Sequence, residues 1–338
     1  MPTIPLTLHA PAVVDDSWEI ELTVCDDLVG VFVYDDNEGR TEVWVYNWEE
    51  GKLIFSVFSE SDKDKLLPDH FDFLSRDVVL FTAFGHDTNT LIAVDIRHTI
   101  SPRSRFQDLF IVSKSVSLDL PRLSGGTVYQ LSTIACSSMR SSICGEGIFG
   151  SRHANTLIVL MLELTDQHGA EHSYDLVVSP AFILSRLEDV SRYGAGPWPS
   201  GPARLRMLTW PDWRTHTRIF RTLSVPEVPV HGSRYLTAKA LPDGKYRLVL
   251  RDFDTLSALR LDKAAGDADI HEGIEGVEDE DKLWDQEAWV GAPYREVESD
   301  IIVEDEDRVF LAEDGIVVAR HRDHLVNVDS TKLEIYSI

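Results

Sequence analysis

The sequence is poor in cysteine, in positive charge, in long apolar runs and in helix signals, and each scarcity excludes something. Three cysteines in 338 residues, Cys25, Cys136 and Cys144, form no Cys-x-x-Cys pair. An odd, scattered set argues against a disulfide framework or a zinc knuckle and suits small buried hydrophobes in a reducing compartment. Lys and Arg number 32 against 57 Asp and Glu, a formal net charge of -25. Phosphate polymers and anionic lipid bind by charge neutralisation, so nucleic acid is excluded as an expected partner. The longest strongly apolar run, "LIVLML" at 157 to 162, is far short of the roughly 20 residues of a membrane helix, so no membrane association is expected. The N-terminal "MPTIPLTLHAPAVVDD" has no basic segment, and Pro and His9 interrupt its apolar character, unlike a secretion signal. These features predict an intracellular protein, cytoplasmic or nuclear.

What is present is strand chemistry. At 43% hydrophobic residues the chain can bury a large core. "IELTVC" (20 to 25), "LVGVFVY" (28 to 34), "VWVYNW" (43 to 48), "LIFSVF" (53 to 58), "VVLFTAF" (78 to 84) and "LIAVDI" (91 to 96) are short, β-branched or aromatic, and bounded by Asp, Asn, Gly or Ser. The first four, linked by "DD", "DDNEGR" and "EEGK", predict an antiparallel meander. That is the unit of a propeller blade, in which Trp44 and Trp48 would pack between neighbouring blades. Similar runs recur at 91, 157, 247 and 333 at irregular spacing, some near one repeat of about 40 to 45 residues and some near two.

The expectation is therefore an all-β chain: one β-propeller domain over 1–338, with six or seven four-stranded, WD-repeat-like blades, closed by "IPLTLHA" pairing with the final "LEIYSI". One inserted helix is predicted in "SPAFILSRLEDVSRYG", with Ser179 as cap, Pro180 at the first position, Ile183, Leu187 and Val190 on one face, and Gly194 beyond the end. Residues 262–287 carry eleven acidic side chains against Lys263 and Lys282, and read as a solvated loop insertion.

"MLTWPDWRTHTRIF" (207 to 220) resembles the "PW-x-x-WGP…TR-x-F" segment of the propeller-like C-terminal region of basidiomycete F-box proteins. "FTAFGHDTNTLIAVDI", "SPAFILSRL", "RYLTAKALPDGKYRLVLRDFD" and "WVGAPYREVESDIIVEDEDRVFLAEDGI" are similar to further segments of that family, in the same order. The resemblance implies a fungal, F-box-associated propeller that recruits targets to a cullin ubiquitin ligase through a Skp adaptor. The chain departs from the family in showing no apolar helical periodicity before "IELTVC" where an F-box would stand.

Several constellations carry residue types capable of chemistry. "GEGIFG" sets Gly145, Gly147 and Gly150 at dinucleotide-loop spacing, but it leads into an apolar strand rather than a helix, and Glu146 would repel phosphate. His168 with His172, and His321 with His324 beside Asp323, would need a helix to share a metal, and both lie between strands. Asp26 with Asp27 and Asp35 with Asp36 are neighbours on a strand or turn, where side chains diverge, so they make no glycosidase pair. No G-x-S-x-G elbow occurs. No catalytic residue, cofactor or metal is expected.

The remaining surface is Arg and Trp rich. Arg192, Arg204, Arg206, Arg214, Arg218 and Arg221 alternate with Trp198, Trp210 and Trp213, with Asp212 as the one acid. Trp and Arg dominate binding hot spots, so Arg204, Arg206, Trp210, Trp213, Arg214 and Arg218 are the candidate partner-binding set. Core packing of the tryptophans and internal pairing of the arginines is the competing reading. The expected role is protein recognition by a monomeric propeller, as target-binding part of an F-box-type ligase. The alternatives are a propeller hydrolase or lyase with carboxylates in the channel, and a diverged duplicate without function.

Overall fold

Asp26 and Asp27 join the first two strands, and Asp26 turns the chain with a φ of 53°, a left-handed conformation that a short polar side chain tolerates. Two residues suffice because the flanking strands pair in full register from Trp18↔Asp35 to Cys25↔Leu28. The connection after Asn47 is longer, four residues closing on Gly51 at φ 65°. Local turn chemistry thus sets the meander of residues 18–60, as its spacing predicts.

The computed structural model describes residues 18–35, 39–60, 66–85, 89–98, 104–112, 114–124, 128–136, 157–193, 206–222, 230–253, 270–271, 294–304, 306–312, 315–322 and 330–337. In chain order the strands are β1 (Trp18–Cys25), β2 (Leu28–Asp35), β3 (Arg40–Asn47), β4 (Lys52–Glu60), β5 (Leu66–Ser75), β6 (Val78–Gly85), β7 (Asn89–Asp95), β8 (Ser104–Arg105), β9 (Lys114–Asp119), β10 (Val128–Cys136), β11 (Ile158–Thr165) and β12 (Glu171–Val178). They continue with β13 (Arg206–Leu208), β14 (Thr217–Arg221), β15 (Val230–His231), β16 (Arg234–Ala240), β17 (Tyr246–Asp252), β18 (Ile270–His271), β19 (Tyr294–Val303), β20 (Arg308–Ala312), β21 (Gly315–Arg322) and β22 (Ser330–Ser337). The α-helices are α1 (Phe106–Val112), α2 (Pro180–Tyr193) and α3 (Trp210–Trp213).

The chain divides into two compact units. The first holds two five-stranded sheets, ordered β1-β2-β3-β4-β8 and β13-β9-β7-β6-β5, with β8 and β13 added as short parallel strands. Their facing sides share one core: Cys25, Phe32, Val43, Val45 and Phe55 from the first sheet meet Phe71, Phe73, Phe81, Ile92 and Val94 from the second, with Phe106 and Leu109 of α1 inserted. The second unit holds the sheets β10-β11-β12-β14, β15-β16-β17-β19-β18 and β20-β21-β22. Leu157, Val159 and Val177 pack on Val230 and Tyr235, and Leu236, Leu248 and Val303 pack on Val309, Ile316 and Val318.

All-β character holds, but the single six- or seven-bladed propeller does not. The described residues form five open sheets of three to five strands, none closed on itself. They are shared between two units. Two of the sheets carry a two- or three-residue parallel strand as a fifth strand beyond four antiparallel ones. β22 lies at the edge of its sheet with Leu333 and Ile335 exposed, so no closing strand covers it among the described residues. "IPLTLHA" lies outside those residues, as does the acidic segment 262–287 apart from β18. With the ring goes the blade-based recognition role that rested on it, together with the WD-repeat-like and ligase-adaptor reading.

The inserted helix is present as α2, with Ile183 and Leu187 buried and Val190 half-buried. Two further helices had no sequence expectation. α1 has seven residues and α3 four, too short for a 3.6-residue period to declare itself. β3 also departs from the two-faced burial expected of a blade: Val43 and Val45 are buried, while Trp44 and Tyr46 are half-buried. Trp48 stands beyond the end of β3 and is 44% exposed.

Candidate functional site

The Arg and Trp segment is not one surface. Trp210 and Trp213 form α3, where Asp212 accepts from both the backbone N–H (3.0 Å) and the hydroxyl (2.7 Å) of Thr209, so a capping acid winds the turn. Both indoles are buried, 5.0 Å apart and edge-to-face, and Trp213 Nε1 donates to the Asp119 carbonyl of β9 at 2.9 Å. They are packing residues, contrary to their place in the binding set, and the aromatic signal that marks a hot spot marks a core equally well. Arg218 is also buried, with its guanidinium 5.5 Å from the centre of the Tyr294 ring. Arg214 is half-buried and its carbonyl accepts from Thr217 Oγ1. Arg204 and the side chain of Arg206 lie outside the described residues.

Of the histidines expected between strands, His168 lies in the β11–β12 turn, but His172 belongs to β12 and His321 to β21. Asp166 accepts from the backbone N–H groups of His168 and Ala170, both at 2.8 Å, closing the β11–β12 turn, and His172 Nε2 is 3.5 Å from its carboxylate. His321's side chain, His324 and "GEGIFG" lie outside the described residues. Among the described residues no three His, Cys, Asp or Glu side chains converge to hold a metal ion.

In the second unit, Asp175 of β12 is buried under an aromatic group that no local motif announces. Its Oδ2 accepts from Tyr235 Oη at 2.5 Å and Thr222 Oγ1 at 2.8 Å, while Oδ1 has no hydrogen-bond partner. Burial pushes the carboxyl above the ordinary carboxylate range, against the lowering effect of those two hydrogen bonds and of the Arg251 charge. Phe220 stacks on Tyr235, and Arg251 lies 4.2 Å over the Phe220 ring while pairing with Glu296 at 2.8 Å. Every cation and ring here is engaged internally, which is the arrangement of a core network.

β1 is built differently. Among the described residues it is the edge strand of its sheet, eight residues long, paired with β2 without a bulge. Ile20, Leu22 and Val24 alternate onto one face and are 52%, 67% and 58% exposed. The opposite face is held down. Gly30 of β2 leaves room for the Phe71 ring, which occupies the place a Cβ would take: an added Cβ would sit 2.1 Å from Phe71 Cζ. That close approach brings β5 beneath β1, where Thr23 Oγ1 donates to Asp72 Oδ1 at 2.8 Å and His70 Nδ1 meets Glu21 Oε2 at 2.7 Å. Burial lowers the pKa of His70, but the hydrogen bond and charge of Glu21 and the charges of Asp72 and Asp69 outweigh it, and the net shift is upward. The same bond holds Glu21 below its ordinary range against partial desolvation.

The β1–β2 turn is anchored as well. Asp27 accepts from Arg76 Nε (2.6 Å) and from Asn47 Nδ2 (2.6 Å), and the hydrogen bond from Arg76 leads in keeping its carboxyl low. Trp48 Nε1 donates to the Asp26 carbonyl at 3.0 Å. The Asp27 carboxylate is thus a structural tie, while Asp26, an exposed residue, takes part through its backbone carbonyl.

No family model, no curated protein and no solved structure matches this chain, so none supports the F-box resemblance. None of the described helices is long and apolar enough to cross a membrane.

Proposed function

We propose that this protein is a non-catalytic scaffold that captures an extended polypeptide segment by strand addition to β1. The observation that carries the reading is the open edge with its exposed Ile20, Leu22 and Val24 stripe. Sheet edges in soluble proteins are blunted by Lys, Pro, bulges or short length, because unpaired backbone groups template pairing. "WEIELTVC" has no Lys, Arg, Pro or bulge and runs eight residues with an unbroken ladder on its inner side, and the charge it carries is acidic, Glu19 and Glu21.

The occupant follows from charge. Glu19 and Glu21 alternate with the apolar stripe, and the chain carries a net charge of -25. Two copies of β1 laid side by side would oppose like charges, which disfavours a second copy of this chain. A segment alternating apolar residues with Lys or Arg covers the stripe on one face and meets the acids on the other, while its backbone completes the ladder.

The test uses a synthetic peptide of alternating valine and lysine and the full chain. Binding is followed by calorimetry and by hydrogen exchange, with protection expected at β1 amides. In a Leu22→Asn/Val24→Asn variant, affinity should fall by about tenfold with an unchanged melting temperature, since both side chains are exposed. Equal binding by the variant, or protection that bypasses β1, overturns the assignment.

A further inference from the structure

We propose that the Glu21–His70 pair is a pH-operated latch on β1, tight while His70 is an imidazolium and loosened when it becomes neutral. The idea rests on the strand-addition reading only for its effect on a ligand; the latch itself is a property of the free protein.

The latch has three structural parts. The ladder between β5 and β6 shifts register between Pro68↔Ala83 and His70↔Thr82, so Asp69 is an extra residue and β5 is bulged there. Bulges re-aim side chains, and this one presents His70 to β1, 49 positions away in sequence. There Nδ1 meets Glu21 Oε2 at 2.7 Å. The second tie, Thr23 to Asp72, is two residues along the same strand. β1 is therefore fastened on its inner face by a histidine–carboxylate pair and by a hydroxyl–carboxylate hydrogen bond, beside the buried Cys25.

Among the described residues the charged groups acting on His70 are acidic: Glu21 from β1, and Asp69 and Asp72 from its own strand. From β2 it meets the Phe32 ring, tilted at 6.4 Å, and across the ladder on β6 it faces Thr82; neither carries charge. An imidazolium satisfies this acidic setting and donates from both ring nitrogens. On losing its proton, the ring keeps a contact to Glu21 only as the Nδ1–H tautomer, a neutral bond in place of a charge-assisted one. The carboxylates then face one another across a neutral ring.

The direction is fixed by linkage. His70 has a raised folded-state pKa, so its contribution is fully present below the ordinary His value of about 6.5 and is lost as pH rises through the folded value. Glu21 has a lowered one, so its share is present above the ordinary Glu value of about 4.3 and lost as pH falls below it. The latch is closed between those limits and opens as pH rises through the raised folded value of His70.

Hydrogen exchange of the full chain without ligand tests this. Opening at β1 amides, normalised to β6 amides of the same unit, should rise by about two- to fivefold from about pH 6 to about pH 8.5, the scale of a half-exposed ion pair. The rise should vanish in His70→Gln and in Glu21→Gln, and the His70 ring titration seen by NMR should move down in Glu21→Gln. A parent profile as flat as the variants, or an unmoved His70 titration, overturns the latch whether or not any peptide binds. With the valine–lysine peptide as probe, affinity for the parent should weaken over the same interval by the same factor, and not for His70→Gln. Peptide binding to the parent that ignores pH while β1 exchange responds overturns the link to ligand but not the strand-addition reading.

Discussion

Replacing Gly30 with alanine probes the contact on which the placement of β5 under β1 depends. The new Cβ would lie 2.1 Å from Phe71 Cζ and 2.6 Å from Cε1, against a comfortable carbon–carbon separation of about 3.5 to 4.0 Å. A ring tip on the surface would swing away at little cost. This one cannot, because Phe71 is buried with Phe73 at 5.5 Å and Phe81 at 5.9 Å, and Phe81 is backed by Phe106 at 5.3 Å. Overpacking of this sort costs about 1 to 3 kcal/mol. Removing a strand glycine returns about 0.5 to 1 kcal/mol of backbone entropy. The net expectation is a loss of about 0.5 to 2 kcal/mol, or about 1 to 8 °C in the melting temperature of a unit of this size. The assay is a double-mutant cycle by urea denaturation. Phe71→Leu shortens the ring and opens the space, so Gly30→Ala should be close to neutral in that background, a coupling of about 0.5 to 2 kcal/mol within the range for touching residues. If Gly30→Ala is as stable as the parent, or costs the same with leucine at 71, the packing argument is wrong.

Two other perturbations follow from the buried polar contacts. Asp175 has a raised folded-state pKa, so the stability it contributes is present below the ordinary Asp value of about 3.9 and lost as pH rises through the folded value; Asp175→Asn should flatten the pH dependence of denaturation over that interval, and an unchanged slope would show the carboxyl is not protonated there. Trp213→Phe keeps a ring in α3 but leaves the Asp119 carbonyl without its donor, at a cost of about 1 to 3 kcal/mol in thermal denaturation, whereas Trp213→Ala should cost about 3 to 5 kcal/mol; indifference to both would return the indole to the surface.

Legibility in the sequence tracked locality. The β1–β4 meander could be read because its connections are short and their residues are turn formers, and α2 because Pro180 and Gly194 punctuate it. The ring failed because strand periodicity reports which residues face a core, not which sheets share one, and irregular spacing was stretched into a repeat. Trp210 and Trp213 fit a binding set and a core equally well in the sequence, because composition cannot distinguish an indole in a core from one on a surface; the capping acid Asp212 is the available sign that they belong to a helix turn. Glu21 and His70 were invisible for a different reason. They meet only because Gly30 admits Phe71 and because the chain bulges at Asp69, and neither event leaves a pattern in either strand.

The half-exposed indole of Trp48 has a practical use. It donates to the carbonyl of Asp26, and its own backbone N–H donates to that of Asp27, so one chromophore is fastened to both residues of the β1–β2 turn. The chain thus carries a fluorophore wired to the tip of the strand proposed to receive a ligand. A difference spectrum between the parent and Trp48→Phe isolates its emission from that of the other tryptophans, turning the hairpin into its own gauge of how firmly β1 is held.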